Sequence, residues 1–431
     1  MLRRPSPQNV CPGQPNIPVV PCGPTAAGSR AGPSQLGGAL VYVPDAASGC
    51  LATRSIAGRT LAVRNLVAAL RAGASIIAVP LSLRDAAVER AVARMPALAA
   101  AVRWLEPGCP VPDAPPGQAW LLIPSSSLVD ARLLQSLQEP GVPPQGVVLA
   151  PSAGGPAPVA GLPWAAIASL WDRFAAGEPT GADLTGLLRD GGAHPRESTG
   201  LFVPVRRESD LAHAQDALLS RLGIKADTRM DQLFHRRCSR WVTRLLVPTP
   251  LTPNLLSLVS LAIGTIAVWC FWRATPLSAL WGVILYAAAS VVDHADGEIA
   301  RLTFQESSSG ATLDWTVDTI IHSGVVLGMA VTAGGQLMPW VGLFAVLGVW
   351  LSALFASHLP QEIARGEPLG RLLKNLGNRD FFYLLLLSFL GSCWLMPSLL
   401  RPLTIVVALG SQAHWIACVA HMGRSDTSRP R

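Results

Sequence analysis

The sequence predicts a chain in two parts: a soluble α/β domain with a mostly parallel sheet, then an α-helical polytopic membrane domain with six transmembrane helices. Three observations lead there. The 431 residues are 50% hydrophobic and only 14% charged, against about 25% charged in an ordinary soluble protein. Long charge-free apolar stretches begin only after residue 254. Before that point short apolar runs alternate with helical patterns, the rhythm of strand–helix–strand units on a parallel sheet. The length asks for two domains or more, and a disordered or wholly soluble chain is excluded.

Residues 1–36 carry eight prolines and four glycines without periodicity. They read as a disordered tail, too broken by proline for a signal peptide. In residues 37–220, Ala39–Val43, Ser75–Val79, Ala119–Ile123 and Gly146–Leu149 read as strands. Thr60–Ala72 and Leu83–Arg94 read as helices, the first ending at Gly73. Residues 151–200 are rich in glycine and proline and give no clear pattern. Residues 221–253 change character: Arg229, Arg236, Arg237, Arg240 and Arg244 alternate with Met230, Leu233, Phe234, Trp241, Leu245 and Leu246. This is a basic amphipathic helix suited to a membrane surface.

Six apolar segments of 16 to 21 residues follow: Leu255–Trp272, Leu277–Val292, Trp315–Ala333, Leu337–Ser357, Phe381–Leu400 and Pro402–Ala420. Each is near the ~20 residues that cross a bilayer as a helix. Trp272, Trp281, Trp315, Trp340 and Trp394 stand near segment ends, as in an aromatic belt. The connection between the fourth and fifth segments and the tail 424–431 hold the clustered basic residues, so the positive-inside rule puts both termini in the cytoplasm. An inner bacterial membrane is the expected location. The net charge is +7, with two lysines among 34 basic residues. No basic stripe with interleaved aromatics is present, so nucleic acid is not an expected partner. The eight cysteines form no CxxC pair, which supports neither a metal cluster nor a disulfide framework.

The chemistry concentrates between the second and third segments. Asp293, Asp296, Gly297, Ala300 and Arg301 come first; after eight residues come Gly310, Asp314 and Asp318. Asp293 and Asp296 are three apart, and Asp314 and Asp318 four apart, so each pair shares one face of a helix. A helical hairpin would gather all four at the cytoplasmic boundary. Converging carboxylates need cations, and oxygen-only ligands select hard ions such as Mg²⁺ or Mn²⁺. Two such ions can clamp a pyrophosphate. Gly297 and Ala300 let a nucleotide near the helix backbone, and Arg301 offers a planar donor fork. The competing reading is a cation-coupled membrane transporter, since intramembrane acids also build ion paths.

The pattern DxxDGxxARx₈GxxxDxxxD is the signature of the CDP-alcohol phosphotransferase family, and this sequence resembles it at every fixed position. The resemblance covers about residues 225–423, and Leu251-Thr252-Pro253-Asn254 looks like the family's TPN element. It implies transfer of a phosphoalcohol, phosphatidyl in the preferred reading, from a CDP-alcohol to an acceptor hydroxyl with release of CMP, in phospholipid biosynthesis. It further implies that Asp293, Asp296 and Asp314 bind metal. Asp318 joins the metal site and is the general base. Gly297, Ala300, Arg301 and Gly310 match the CDP-binding positions. Two divalent ions, Mg²⁺ or Mn²⁺, are the expected cofactors.

The other singled-out residues are expected to do less. His294 is read as structural or solvent-facing, and His322 as a packed helix histidine that could reach Asp318. Arg371, Lys374 and Arg379 are acceptor-phosphate candidates or ordinary cytoplasmic charge, and both readings stand. Expected partners are a CDP-alcohol donor, a hydroxyl acceptor such as a polyol phosphate, and membrane lipid; a homodimer is compatible with them.

Residues 37–80 resemble the start of a nucleotidyltransferase domain, which in some members of the family makes CDP-inositol. The fit is poor. The first loop runs from Pro44-Asp45 to Arg54 with Gly58-Arg59 beyond, no lysine precedes Lys225, and Pro124-Ser125-Ser126-Ser127 stands where a metal-binding acid belongs. Asp130 is the nearest acid. A degenerate, non-catalytic domain is expected, with a bifunctional cytidylyltransferase and CDP-inositol-dependent transferase as the alternative.

Overall fold

A computed structural model describes residues 36–113, 118–139, 141–149, 157–175, 182–197, 199–222, 229–273, 275–357 and 379–427. The expected tail therefore lies almost wholly outside the described residues. The chain divides into two compact units that part between Ala217 and Leu218.

In the first unit a seven-stranded sheet has the spatial order His194–Arg196, Val147–Leu149, Ala160–Pro163, Ala119–Pro124, Leu36–Tyr42, Ile76–Pro80, Val102–Leu105. Four of its pairings are parallel; those of Ala160–Pro163 with its two neighbours are antiparallel. The central strands are buried on both faces, which is why they read as unbroken apolar runs. Leu40, Tyr42, Trp120, Leu122, Leu162 and Trp171 meet in one core, each contributing on the order of 1.5–3 kcal/mol by burial. Tyr42 donates its hydroxyl to Pro158 O at 3.0 Å, so its polar end is satisfied inside that core.

The expected helices are present with sharper ends. Leu61–Arg71 starts behind Thr60, whose hydroxyl accepts from Val63 N. Ala86–Ala93 starts behind Asp85. The region after the first strand, expected as a loop, holds a short helix, Ala46–Ala52, and a tight pair of strands, Ser55–Ile56 and Arg59–Thr60. Asp45 caps that helix by accepting from Ser48 N.

The second unit opens with a π-helical turn, Asp231–His235, continuous with the helix Arg236–Leu246. Asp380 caps its start by accepting from Arg229 N at 3.1 Å and Met230 N at 3.0 Å. Leu233, Phe234, Trp241 and Leu245 are exposed along it, as the amphipathic reading expects. Arg236 is a correction: it turns inward and pairs with buried Glu298 at 2.9 Å. The carboxylate also accepts from Ser239 and Thr243, so one acid on another helix organises three residues of this one.

Among the described residues, five helices are long and apolar enough to cross a membrane: Pro253–Trp272, Pro276–Thr303, Ser308–Ala333, Met338–Ala356 and Pro397–Met422. The expected fifth segment, Phe381–Leu400, is shorter. Its helix ends at Leu395, and Pro397–Leu399 forms a 3₁₀ turn before the next helix. The apolar stretch Asp380–Leu395 thus falls below spanning length. Trp272, Trp281, Trp340 and Trp394 are exposed. Trp315 departs from the belt reading, because its ring packs edge-on against Trp350.

The first and third of these helices lie close where glycine removes bulk. A Cβ on Gly264 would meet Ile321 Cδ1 at 2.4 Å, and one on Gly324 would meet a Val268 methyl at 2.7 Å. Small residues at such crossings let helices pack without a hydrophobic drive from water. This packing fixes the third helix, which carries half of the acidic motif.

Candidate active site

The motif lies almost entirely on helix. The second spanning helix runs past the membrane-length stretch to Thr303 and therefore includes Asp293, Asp296, Gly297, Ala300 and Arg301. The next helix starts at Ser308, ahead of Asp314 and Asp318. The sequence places helix ends at Val292 and Trp315, because charge there ends the apolar runs. Only Phe304–Ser307 separates the two helices. Phe304 closes the first in the left-handed region, with φ 58°. Ser307 caps the second by accepting from Gly310 N at 3.0 Å.

That hairpin brings Asp293, Asp296 and Asp314 together. One carboxylate oxygen from each lies within 4.8 Å of the others, close enough for a divalent ion with oxygen ligands at about 2.0–2.6 Å to bridge. Asp293 and Asp296 are buried and Asp314 is more open. Asp318 stands one turn beyond Asp314 and is a charge neighbour of Asp296. The donor set fits a hard cation, because every ligand atom in the group is a carboxylate oxygen.

The neighbours of the acids were not legible in the sequence. Ser257, on the first spanning helix, donates its hydroxyl to Asp296 Oδ2 at 2.5 Å. It stands three residues after Asn254, and the TPN element explains how it gets there. Thr252 caps the helix and Pro253 occupies its first turn, where a missing N–H costs nothing. Asn254 then reaches the motif: a Cβ on Gly310 would lie 3.4 Å from Asn254 Oδ1. Gly297 has a similar role for Arg301. The guanidinium folds back over it, 3.3 Å from where a Cβ would stand.

His294 is buried, which overturns its solvent-facing alternative. Its Nδ1 donates to Ser290 O at 2.9 Å, and its Nε2 is 3.1 Å from Asp231 Oδ1. His322 packs on Phe382 with ring centroids 4.2 Å apart and meets Tyr286 Oη at 2.8 Å. Arg371 and Lys374 lie outside the described residues, as does the side chain of Arg379, whose backbone opens the helix Arg379–Leu395.

In the first unit, the residues considered for nucleotide chemistry are engaged in structure. Arg54 pairs with Glu208 at 2.6 Å on the surface. Arg59, in the strand pair with Ser55–Ile56, neighbours Arg64, a residue the sequence did not single out; Arg64 donates to Ile56 O and Ala57 O, and burial first, then the charge of Arg59, pushes it below the usual guanidinium range. Asp130 accepts from Leu133 N as a helix cap. Ser125–Ser127 are buried, and Asn65 donates to the carbonyls of Pro124 and Ser127 around them.

The sequence has relatives. The chain is 34% identical over 106 residues to a bifunctional IPC transferase and DIPP synthase of Rubrobacter xylanophilus, covering 25% of this chain and 24% of that one. It is 34% identical over 116 residues to a putative cardiolipin synthase of Mycobacterium tuberculosis, 26% of this chain and 51% of that one. It is 30% identical over 106 residues to an archaetidylinositol phosphate synthase of Pyrococcus horikoshii, 25% and 53% of the two chains. The match thus spans between a quarter and about half of each relative's length. A family model described as CDP-alcohol phosphatidyltransferase matches residues 250–421. The motif hairpin lies inside that matched CDP-alcohol phosphatidyltransferase domain, residues 250–421.

Proposed function

We propose that the chain is an integral membrane transferase that moves a phosphatidyl group from CDP-diacylglycerol to the hydroxyl of a polyol phosphate, releasing CMP. Inositol phosphate or glycerol phosphate is the acceptor class in this reading. The observation that carries it is the convergence of Asp293, Asp296 and Asp314 at the end of a spanning helix. A lipid donor needs its reacting phosphate at such a boundary. Mg²⁺ or Mn²⁺, two ions in this reading, would be held by these acids and supply positive charge to the donor's pyrophosphate. Arg301, held over Gly297, binds the CDP moiety, with Ala300 and Gly310 leaving it room. Asp318 takes the proton of the attacking hydroxyl. Arg371, Lys374 and Arg379 hold the acceptor phosphate. The helix Arg379–Leu395 is a sixth span: its 17 residues rise about 25 Å at ~1.5 Å each, and local thinning of the bilayer would match it.

The experiment is a matrix of CDP-alcohol donors against acceptors with the purified chain in detergent, products read by mass spectrometry. Turnover of CDP-diacylglycerol with a polyol phosphate supports the reading. Turnover of CDP-inositol alone would replace the donor, an outcome favoured by the bifunctional IPC transferase among the relatives. Solute flux in proteoliposomes without CMP release would replace the reaction by transport.

The first unit, in the same reading, makes no CDP-alcohol. Nucleotidyl transfer needs acids for metal and cations for the triphosphate. Here Asp130 caps a helix and Arg54 is paired with Glu208. We expect no pyrophosphate from CTP with any polyol phosphate. Release that disappears in Arg59→Ala would show a bifunctional enzyme.

A further inference from the structure

Three buried side chains outside the acidic motif form a cluster that its chemistry does not use. Asp231 and His235 are one turn apart on the π-helical turn, and His294 projects from the second spanning helix. All three are less than one-tenth exposed. His235 Nδ1 and His294 Nε2 both face Asp231 Oδ1, each at 3.1 Å. The three ligand atoms lie within 4.8 Å of one another.

The far nitrogens decide what these near ones can be. His294 Nδ1 lies 2.9 Å from Ser290 O. A carbonyl oxygen only accepts, so Nδ1 is the donor in that contact and Nε2 is the nitrogen turned to the Asp231 carboxylate. His235 is held likewise by both ring nitrogens: its Nε2 meets Tyr383 Oη at 2.8 Å, a hydroxyl that can donate or accept, and its Nδ1 faces Asp231. Metal-bound histidines are held in this way, the second ring nitrogen donating to a carbonyl or hydroxyl that fixes tautomer and ring orientation. The spacing agrees. In a tetrahedral site with bonds of about 2.0–2.1 Å, neighbouring ligand atoms stand about 3.3 Å apart.

We infer that Asp231, His235 and His294 bind a divalent transition ion of the Zn²⁺ class, distinct from the ions of the acidic motif. The two sites differ in ligand chemistry: imidazole nitrogens favour a borderline ion, oxygen-only acids a hard one. Three protein ligands leave one tetrahedral position for water. The ion ties the π-helical turn to the spanning helix at the residue next to Asp293, whose Oδ2 is 3.9 Å from His294 Nδ1. Its role is to position the helix that carries Asp293, not to take part in the chemistry of the motif. The inference does not depend on which alcohols the enzyme uses.

The test uses the full chain in detergent, stripped with chelator, loaded with Zn²⁺ in excess Mg²⁺ and desalted. Elemental analysis should find equimolar Zn²⁺, and X-ray absorption at the zinc edge should show two imidazole ligands. His235→Gln and Asp231→Asn should each lower retained Zn²⁺ at least ten-fold, whereas Asp314→Asn should keep it. Zinc-free wild-type protein would overturn the inference and leave an imidazolium–carboxylate network in its place. Zinc bound without imidazole, or lost in Asp314→Asn, would overturn it equally by placing the ion among the motif acids. The wild-type spectrum decides even where a variant fails to fold.

Discussion

The two regions that follow strand or helix ends in this chain use the same polar residue types in opposite ways. In the first unit, Asp45, Asp85 and Asp130 each follow an apolar run and each caps the next helix. Their carboxylates are engaged locally, by backbone N–H groups within three residues. In the membrane unit, Asp293 and Asp296 also follow an apolar run, but the helix continues through them and carries them to Asp314 on its partner. Charge that a capping acid would dissipate is gathered instead. The difference lies in whether the backbone ends beside the acid: a helix end supplies bare N–H donors, a continuous helix supplies none.

The largest effect should come from the gathered acids. Asn at Asp293, Asp296, Asp314 or Asp318 should each lower kcat by about 10²–10⁴-fold, the usual weight of a general base or of a misplaced reacting group. CMP release under saturating Mg²⁺ or Mn²⁺ measures it. Asp296→Ala with near wild-type turnover and the same metal dependence would remove the basis for treating the four as one site.

Glu298 offers an intermediate case, an acid inside the motif whose charge is satisfied at a distance. It is fully buried and takes one bond each from Arg236, Ser239 and Thr243. Glu298→Ala leaves the Arg236 guanidinium buried beside a cavity, so a loss of roughly 3–5 kcal/mol is expected. A thermal melt in detergent should show it, and Glu298→Gln should recover part because two hydroxyl donors keep an acceptor. Equal melting of both variants and wild type would mean the juxtamembrane helix is held by its apolar contacts alone.

Ser257→Ala should be milder. It removes a charge-assisted bond to Asp296, worth about 1.5 kcal/mol or more, or roughly ten-fold in kcat/KM. Because the carboxylate stays in place, the loss should shrink as metal concentration rises. A metal-independent loss would place Ser257 in folding rather than in ligand orientation.

What could be read from the sequence follows the same division. The Asp spacings and the two-fold change from apolar to acidic were enough to anticipate the hairpin, since the helical period alone sets which acids share a face. The central strands were legible because burial on both faces makes them uniformly apolar. Val102–Leu105, Ala160–Pro163 and His194–Arg196 were not: they are three or four residues long and contain Arg, Gly or Pro, so no period can establish itself. Asp231, His235 and Glu298 were missed for a different reason. Asp231 and His235 sit among arginines and exposed apolar residues in a segment that looks like a surface, and Glu298 stands at a variable position of the motif; only tertiary contact reveals that all three point inward. The fifth segment was drawn too long because hydropathy does not register the break at Met396-Pro397.

The smallest effect tests the α/β side of the comparison. Asp130 is the acid nearest to the position a nucleotidyltransferase would use for metal, and its Oδ1 accepts from Leu133 N at 2.9 Å at the start of Ala131–Ser136. If capping is its whole role, Asp130→Ala should cost about 1 kcal/mol of that unit's stability, and Asp130→Asn, which keeps the acceptor, much less. Neither should change CMP release or the binding of CTP with Mg²⁺, followed by calorimetry on the full chain. A charge-dependent result, with Asn as damaging as Ala to CTP binding, would show that the carboxylate meets a ligand, and the contrast between capping and gathered acids would no longer separate the two regions.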